Sequence, residues 1–212
     1  VYETVELIEG VLAQGEPAAV AGPSKSLKTS FSMDAAVSLA SGKPFLGQFR
    51  VPNRVRVAFV SGESGRPSLQ SLARRVCRSK GFTLASLEDR LNLCFDLPTL
   101  SDPAIMADFA EGLSATRPDV VFLDPLYLSL GSTDPRNLFE MGNALRVASE
   151  ILGAGGATVV ICHHANRQLA PGEAMDLRHL AFTGLEQYVR QWLLIARAEA
   201  YQDDGDHEMI LR

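Results

Sequence analysis

Two kinds of apolar run alternate along this chain. One kind is short and continuous: Ala18-Ala19-Val20-Ala21, Val120-Val121-Phe122-Leu123 and Thr158-Val159-Val160-Ile161-Cys162. Runs without polar alternation suit strands buried on both faces. Val55 to Val60, Leu91-Asn92-Leu93-Cys94-Phe95 and Gln191-Trp192-Leu193-Leu194-Ile195-Ala196 are also of strand length. The other kind of run keeps helical spacing. It covers Phe31 to Ala40, Asp102 to Thr116 behind a cap at Ser101 or Asp102, and Asn137 to Leu152 before Gly153, Gly155 and Gly156. In Pro67 to Lys80, Leu69, Leu72, Ala73 and Val76 share a face and Arg74, Arg75, Arg78 and Lys80 lie towards the other. Strands alternating with helices predict an α/β fold, a mostly parallel twisted sheet with helices on both faces. Met209-Ile210-Leu211 reads as a final strand, joined to the Trp192 strand by an antiparallel hairpin through Asp203-Asp204-Gly205-Asp206. Val1 to Leu12 is expected to pack on the domain edge, and a polar loop of about 15 residues follows His164, long for a compact domain.

The junction between the first buried run and the Phe31 helix carries candidate chemistry. Gly22-Pro23-Ser24-Lys25-Ser26-Leu27-Lys28-Thr29-Ser30 places a glycine and a Lys-Thr pair at the spacing of G-x-x-x-x-G-K-[ST]. In such a loop backbone N–H groups cradle phosphates, the lysine reaches the terminal phosphates, and the hydroxyl meets Mg²⁺. Residues 22–30 therefore read as a nucleoside triphosphate site. Leu27 stands where the second glycine belongs; a negative φ accommodates it, and a positive φ strains it. A Ser/Lys-rich turn opening an ordinary helix is the plainer reading of the same residues.

In open α/β sheets ligands gather beyond the carboxyl ends of the strands. Glu63, Asp124 and His163-His164 each end a predicted strand there, with Gly22 to Thr29. Asp124 is the carboxylate to hold Mg²⁺ opposite the Thr29 hydroxyl, or else begins an Asp-Pro turn. Glu63, between Gly62 and Ser64-Gly65, is placed to deprotonate an attacking water, or else caps the next helix. Successive strand residues face opposite ways, so His164 can address the γ-phosphate while His163 turns into the sheet as a structural histidine. Adjacent residues cannot all ligate one ion, which argues against zinc at Cys162-His163-His164.

Arg190 and Arg197 flank the Trp192 strand, as surface ion-pair partners or as guanidiniums aimed at a neighbouring subunit's nucleotide. Arg136, Arg167 and Arg178 lie in loops after the acidic and histidine strands. They are either solvated or in contact with a phosphate backbone, and no aromatic is interleaved with them for base stacking.

Composition narrows the partners. The 212 residues suit one sizeable domain and carry a formal charge of −5, so nucleic-acid contact has to come from local loops or an assembled ring. Three scattered cysteines outside any C-x-x-C pair favour reduced thiols in a cytoplasmic-type compartment. No run approaches a membrane span and no signal peptide opens the chain, so no membrane partner is expected. The abrupt ends read as an excised core of something longer.

Together these residues resemble the RecA-like P-loop ATPases, and among them the RepA-type hexameric replicative helicases, relatives of the DnaB type. Gly22…Lys28-Thr29 matches Walker A, Ser61-Gly62-Glu63 the glutamate after the second strand, and Val121-Phe122-Leu123-Asp124-Pro125 Walker B. Ile161-Cys162-His163-His164-Ala165 is similar to the family's strand-His-His-Ala signature. Thr183 through Arg197 resembles the DnaB-type segment that ends in an arginine finger, whereas the RepA type puts its finger just before a tryptophan-containing strand, at Arg190. The resemblance spans about residues 15 to 212 and implies Mg-ATP hydrolysis coupled to movement along single-stranded DNA in a ring of six. Two other readings stay open: a nucleotide-gated, clock-type regulatory module, and a small-molecule kinase. The kinase would need a basic lid, and Arg167 to Leu180 also contains Glu173 and Asp176.

Overall fold

A computed structural model describes residues 4–166, 169–201 and 206–212. Arg167 and Asp203-Asp204-Gly205 of the expected turn lie outside the described residues. The elements in chain order are β1 Glu6–Ile8, β2 Leu12–Ala13, β3 Ala18–Gly22, α1 Lys28–Ser41, β4 Val57–Ser61, α2 Arg66–Ser79, β5 Leu91–Cys94 and α3 Pro103–Thr116. They continue as β6 Val120–Asp124, α4 Leu138–Leu152, β7 Thr158–His164, α5 Leu185–Tyr188, β8 Gln191–Arg197 and β9 Met209–Leu211.

The main sheet has seven strands in the order β5-β4-β6-β7-β3-β8-β9, all parallel except the β8–β9 pair. This is the α/β P-loop NTPase fold with the C-terminal antiparallel hairpin that the pattern predicts. Alternation across each strand feeds two cores. Val20, Phe59, Phe122 and Val160 enter one beneath α1 and α2, and Ala21, Val60, Leu123 and Ile161 enter the other beneath α4. Phe59 and Phe122 face each other in register and stack at 5.5 Å. β1 and β2 form a separate hairpin that buries Leu7, Ile8 and Leu12 in the α1 core.

Helix α1 is buried almost all round; Ala35, Ala36 and Ala40 let it lie close to the sheet, and Ser32, Ser38 and Ser41 are enclosed with it. Helices α3 and α4 start on side-chain caps, Asp102 accepting from Ala104 and Ile105, and Asn137 from Phe139 and Glu140.

The parallel ladders continue through Ser61 opposite Asp124 and Gly22 opposite His164, so Gly22, Asp124 and His164 are the last rungs of their strands and Glu63 lies two residues past the end of β4. One difference from the sequence pattern bears on the site: the stretch after His164 is not the polar loop expected. It contains α5 and a short turn at Leu177–His179, and Met175, Leu180, Leu185 and Val189 are buried in the second core. Apolar anchors spaced too irregularly for one element hold it down.

Candidate functional site

Gly22 ends β3 where nothing larger fits. A Cβ there would collide with Ser26 Oγ and come within 2.5 Å of the Ile195 carbonyl oxygen on β8. From Gly22 the chain turns through Pro23 and Ser24, and the Ser26 hydroxyl closes the turn by donating to the Pro23 carbonyl at 2.8 Å. Lys25 and Leu27 both adopt the left-handed region, at φ 59° and 63°. Leu27 therefore takes the strained alternative, in the conformation that the missing glycine would supply freely. Such a conformation costs a residue with a β-carbon about 1–2 kcal/mol. Leu27 is also the N-cap of α1 and offers it no side-chain bond, so Lys28 and Thr29 form the first turn of the helix.

The Lys28 side chain folds back over the loop, its Nζ donating to the carbonyls of Gly22 at 3.0 Å and Pro23 at 2.7 Å. At 8 % exposure, burial lowers its pKa, opposed by the fields of Cys162, Asp124 and Glu63. Asp124 is 2 % exposed, and its Oδ2 has no hydrogen-bond partner among the described residues. Burial above all, and then the Glu63 charge, push its pKa up, while the Thr29 hydroxyl, the Cys162 thiol and Lys28 pull it down. A buried carboxylate oxygen without a partner, beside a threonine hydroxyl, is the donor set a hard divalent cation takes. By this test Thr29 and Asp124 fit Mg²⁺, and the loop from Gly22 to Ser30 fits a polyphosphate.

Glu63 lies exposed just beyond β4. It does not cap α2, whose N-cap is Gly65. Its charge is felt at Lys28, Asp124, Tyr127 and His164, so four strand tips share one electrostatic environment.

The two histidines diverge as strand alternation requires. His163 is 1 % exposed, bonds the Ala181 carbonyl through Nε2 at 2.7 Å, and lies 4.7 Å from the Phe182 ring. A carbonyl only accepts, so Nε2 carries the proton, leaving Nδ1 buried as an acceptor. Burial lowers its pKa to about 4. His164 is partly exposed, with its ring 5.5 Å from that of Tyr127; burial and the nearby Lys28 charge lower its pKa.

The arginines separate as well. Arg197, at the carboxyl end of β8, donates through Nη2 to the Lys25 carbonyl of its own chain's phosphate loop and stacks 4.7 Å over Tyr201. Arg190 precedes β8 at the opposite sheet edge and bonds the Gln187 carbonyl at 2.7 Å. Arg136 and Arg178 line one cavity of about 700 Å³, and each pairs with a nearby aspartate, Asp134 and Asp176. The ring that shares their cavity is Phe182; Phe139, three residues after Arg136, is 86 % exposed in the first turn of α4 and does not line it. Tyr127, Phe139 and Tyr201 were not singled out in the sequence. The signal for Phe139 was an apolar pair, Leu138-Phe139, immediately after a helix cap; for Tyr127 and Tyr201 there was only their position just past a strand tip.

A family model described as an AAA domain, AAA_25, matches residues 3–169. The chain belongs to this family. The AAA_25 match runs from the N-terminal hairpin past β7 and takes in Gly22 to Ser30, Glu63, Asp124 and the two histidines. It makes the domain a P-loop nucleoside triphosphatase, of a kind that generally binds ATP with Mg²⁺. Arg190, Arg197 and Tyr201 lie beyond the match. No curated protein matches the chain. Among the described residues no helix is long and apolar enough to cross a membrane.

Proposed function

We propose that this AAA domain is a RecA-like motor of the RepA helicase type, hydrolysing Mg-ATP as a ring of the six copies that the resemblance implies and moving on single-stranded DNA in a cytoplasmic-type compartment. The observation that carries the reading is the convergence of Lys28, Glu63, Asp124 and His164 from the ends of four parallel strands, with an unpartnered Asp124 oxygen between them. Lys28 holds the β- and γ-phosphates. Thr29 and Asp124 hold Mg²⁺, which when bound neutralises charge on the phosphate oxygens. Glu63 takes the proton of the attacking water, and its exposure leaves that carboxylate open to solvent. His164 reads the γ-phosphate, while His163 keeps Ala181 and Phe182 in place behind it. Arg190, at the sheet edge away from its own loop, is the better candidate to complete a neighbour's site; Arg197 is engaged in its own chain.

Contact with DNA draws on one cavity lined by Arg136, Arg178 and the Phe182 ring, where the exposed pairs with Asp134 and Asp176 would be exchanged for phosphates. The kinase reading is weakened by Asp176, which pairs with both Arg178 and Arg212 and so neutralises the candidate lid. Glu63→Gln tests the assignment. Mg-ATP binding by calorimetry is expected to persist while phosphate release falls at least about 100-fold; unchanged hydrolysis refutes it. Stimulation of hydrolysis by single-stranded DNA, with a solution mass of several chains, separates the motor from a nucleotide-gated switch.

A further inference from the structure

The three groups placed to act on the terminal phosphate all come from one side of β3. Strands β7, β6 and β4 bring His164, Asp124 and Glu63, while β8 and β9 lie on the other side. A triphosphate held along the loop with its γ-end towards β7 must send its nucleoside half away from that cluster, over the end of β8.

A cavity of about 410 Å³ lies there, within the size range of small-ligand sites. Its walls are the phosphate loop from Pro23 to Ser26, Leu169 to Pro171, and Arg197 with Glu199 to Tyr201, so one carboxylate stands among the cations. Tyr201 is built into a stack, with the Arg197 guanidinium 4.7 Å from its ring centroid, the Lys25 ammonium at 5.3 Å, and the His207 ring at 5.5 Å and 23°. Arg197 also bonds the Lys25 carbonyl, so the stack is fastened to the loop at one of its two left-handed residues. Flat aromatic and guanidinium surfaces are what a nucleobase recognises by stacking, and cations beside them suit the α-phosphate side of the ligand.

We propose that the Arg197–Tyr201 stack is the nucleobase subsite of this domain, acting in cis. Arg197 then positions the loop and the base of its own chain's nucleotide instead of reaching into a neighbour. The inference rests on the nucleotide-site reading above and adds where the base lies and which residues receive it.

Calorimetric titration of the full chain with Mg-ATP and, separately, with Mg-tripolyphosphate tests it. Tyr201→Ala is expected to weaken Mg-ATP binding at least tenfold and leave tripolyphosphate binding within twofold; Tyr201→Trp is expected to restore ATP binding. Photolabelling of the wild type with 8-azido-ATP, which needs no variant to fold, is expected to mark residues 197–201. Equal ATP affinity for Tyr201→Ala, or labelling confined elsewhere, overturns the subsite while leaving the phosphate site standing. Failure of the wild type to bind either ligand overturns the nucleotide reading and the subsite with it.

Discussion

The two flanks of the phosphate loop are built on different physics. Towards β7 three groups are enclosed, Lys28, Asp124 and His163, with burial the largest influence on the protonation of each, while Glu63 stands exposed at their rim. Towards β8 the surface is open, and Arg197, Lys25 and Tyr201 are held by stacking and by one backbone carbonyl. An enclosed flank makes charges strong and costly to unpair, which suits bond cleavage. An open flank makes contacts that are weaker and easily exchanged, which suits admission and release of a ligand. Both flanks meet at Gly22.

The largest effect is expected at that junction. Gly22→Ala drives a methyl group against Ser26 and the Ile195 carbonyl, so it displaces the loop relative to both flanks at once. Mg-ATP affinity measured by calorimetry is expected to drop at least about 100-fold, a cost of roughly 3 kcal/mol; retained affinity breaks the claim that the flanks share this hinge.

The enclosed flank is sharpened by pH. His163 has its pKa lowered to about 4, so between pH 6.5 and 4 the unfolded chain binds a proton that the folded chain refuses. Its contribution to stability is complete above pH 6.5 and is lost as pH falls through that window, up to roughly 3 kcal/mol in total. Urea unfolding at pH 7.0 and 4.5 is expected to register this loss, and His163→Gln to flatten it.

Asp124→Asn comes next. It removes a buried charge whose Oδ2 is unpartnered and which faces Glu63, so thermal unfolding is expected to rise by the equivalent of about 1 kcal/mol. Phosphate release is expected to fall steeply in the same variant. A less stable Asp124→Asn protein contradicts the electrostatic account of this flank.

Leu27→Gly is the mildest. It relieves a left-handed leucine and loosens the unfolded chain, two effects of opposite sign, for a net gain expected to stay under about 1 kcal/mol in denaturant unfolding. A loss larger than that would mean the partly exposed Leu27 side chain makes contacts that outweigh its backbone strain.

Much of this was legible from the residues in order. Val120 to Leu123 and Thr158 to Cys162 read as buried strands because both faces of a central parallel strand are covered, and they are. The phosphate loop was legible because its chemistry requires a fixed spacing between Gly22 and Lys28-Thr29. The packing after His164 was not, because Met175, Leu180, Leu185 and Val189 meet one core from turns that share no period. Tyr201 was equally hidden, since its place against Arg197 depends on where β8 ends relative to the loop.

Sequence by itself determined the kind of most elements, the parallel sheet and the spacing of the phosphate loop, because periodicity and motif spacing are local properties of a chain. The tertiary structure alone decided that β7 lies between β3 and β6, that Leu27 is held left-handed, and that Arg197 faces its own loop while Arg190 faces away. Strand order and side-chain direction come from closing the whole sheet at once, so no stretch of residues contains them.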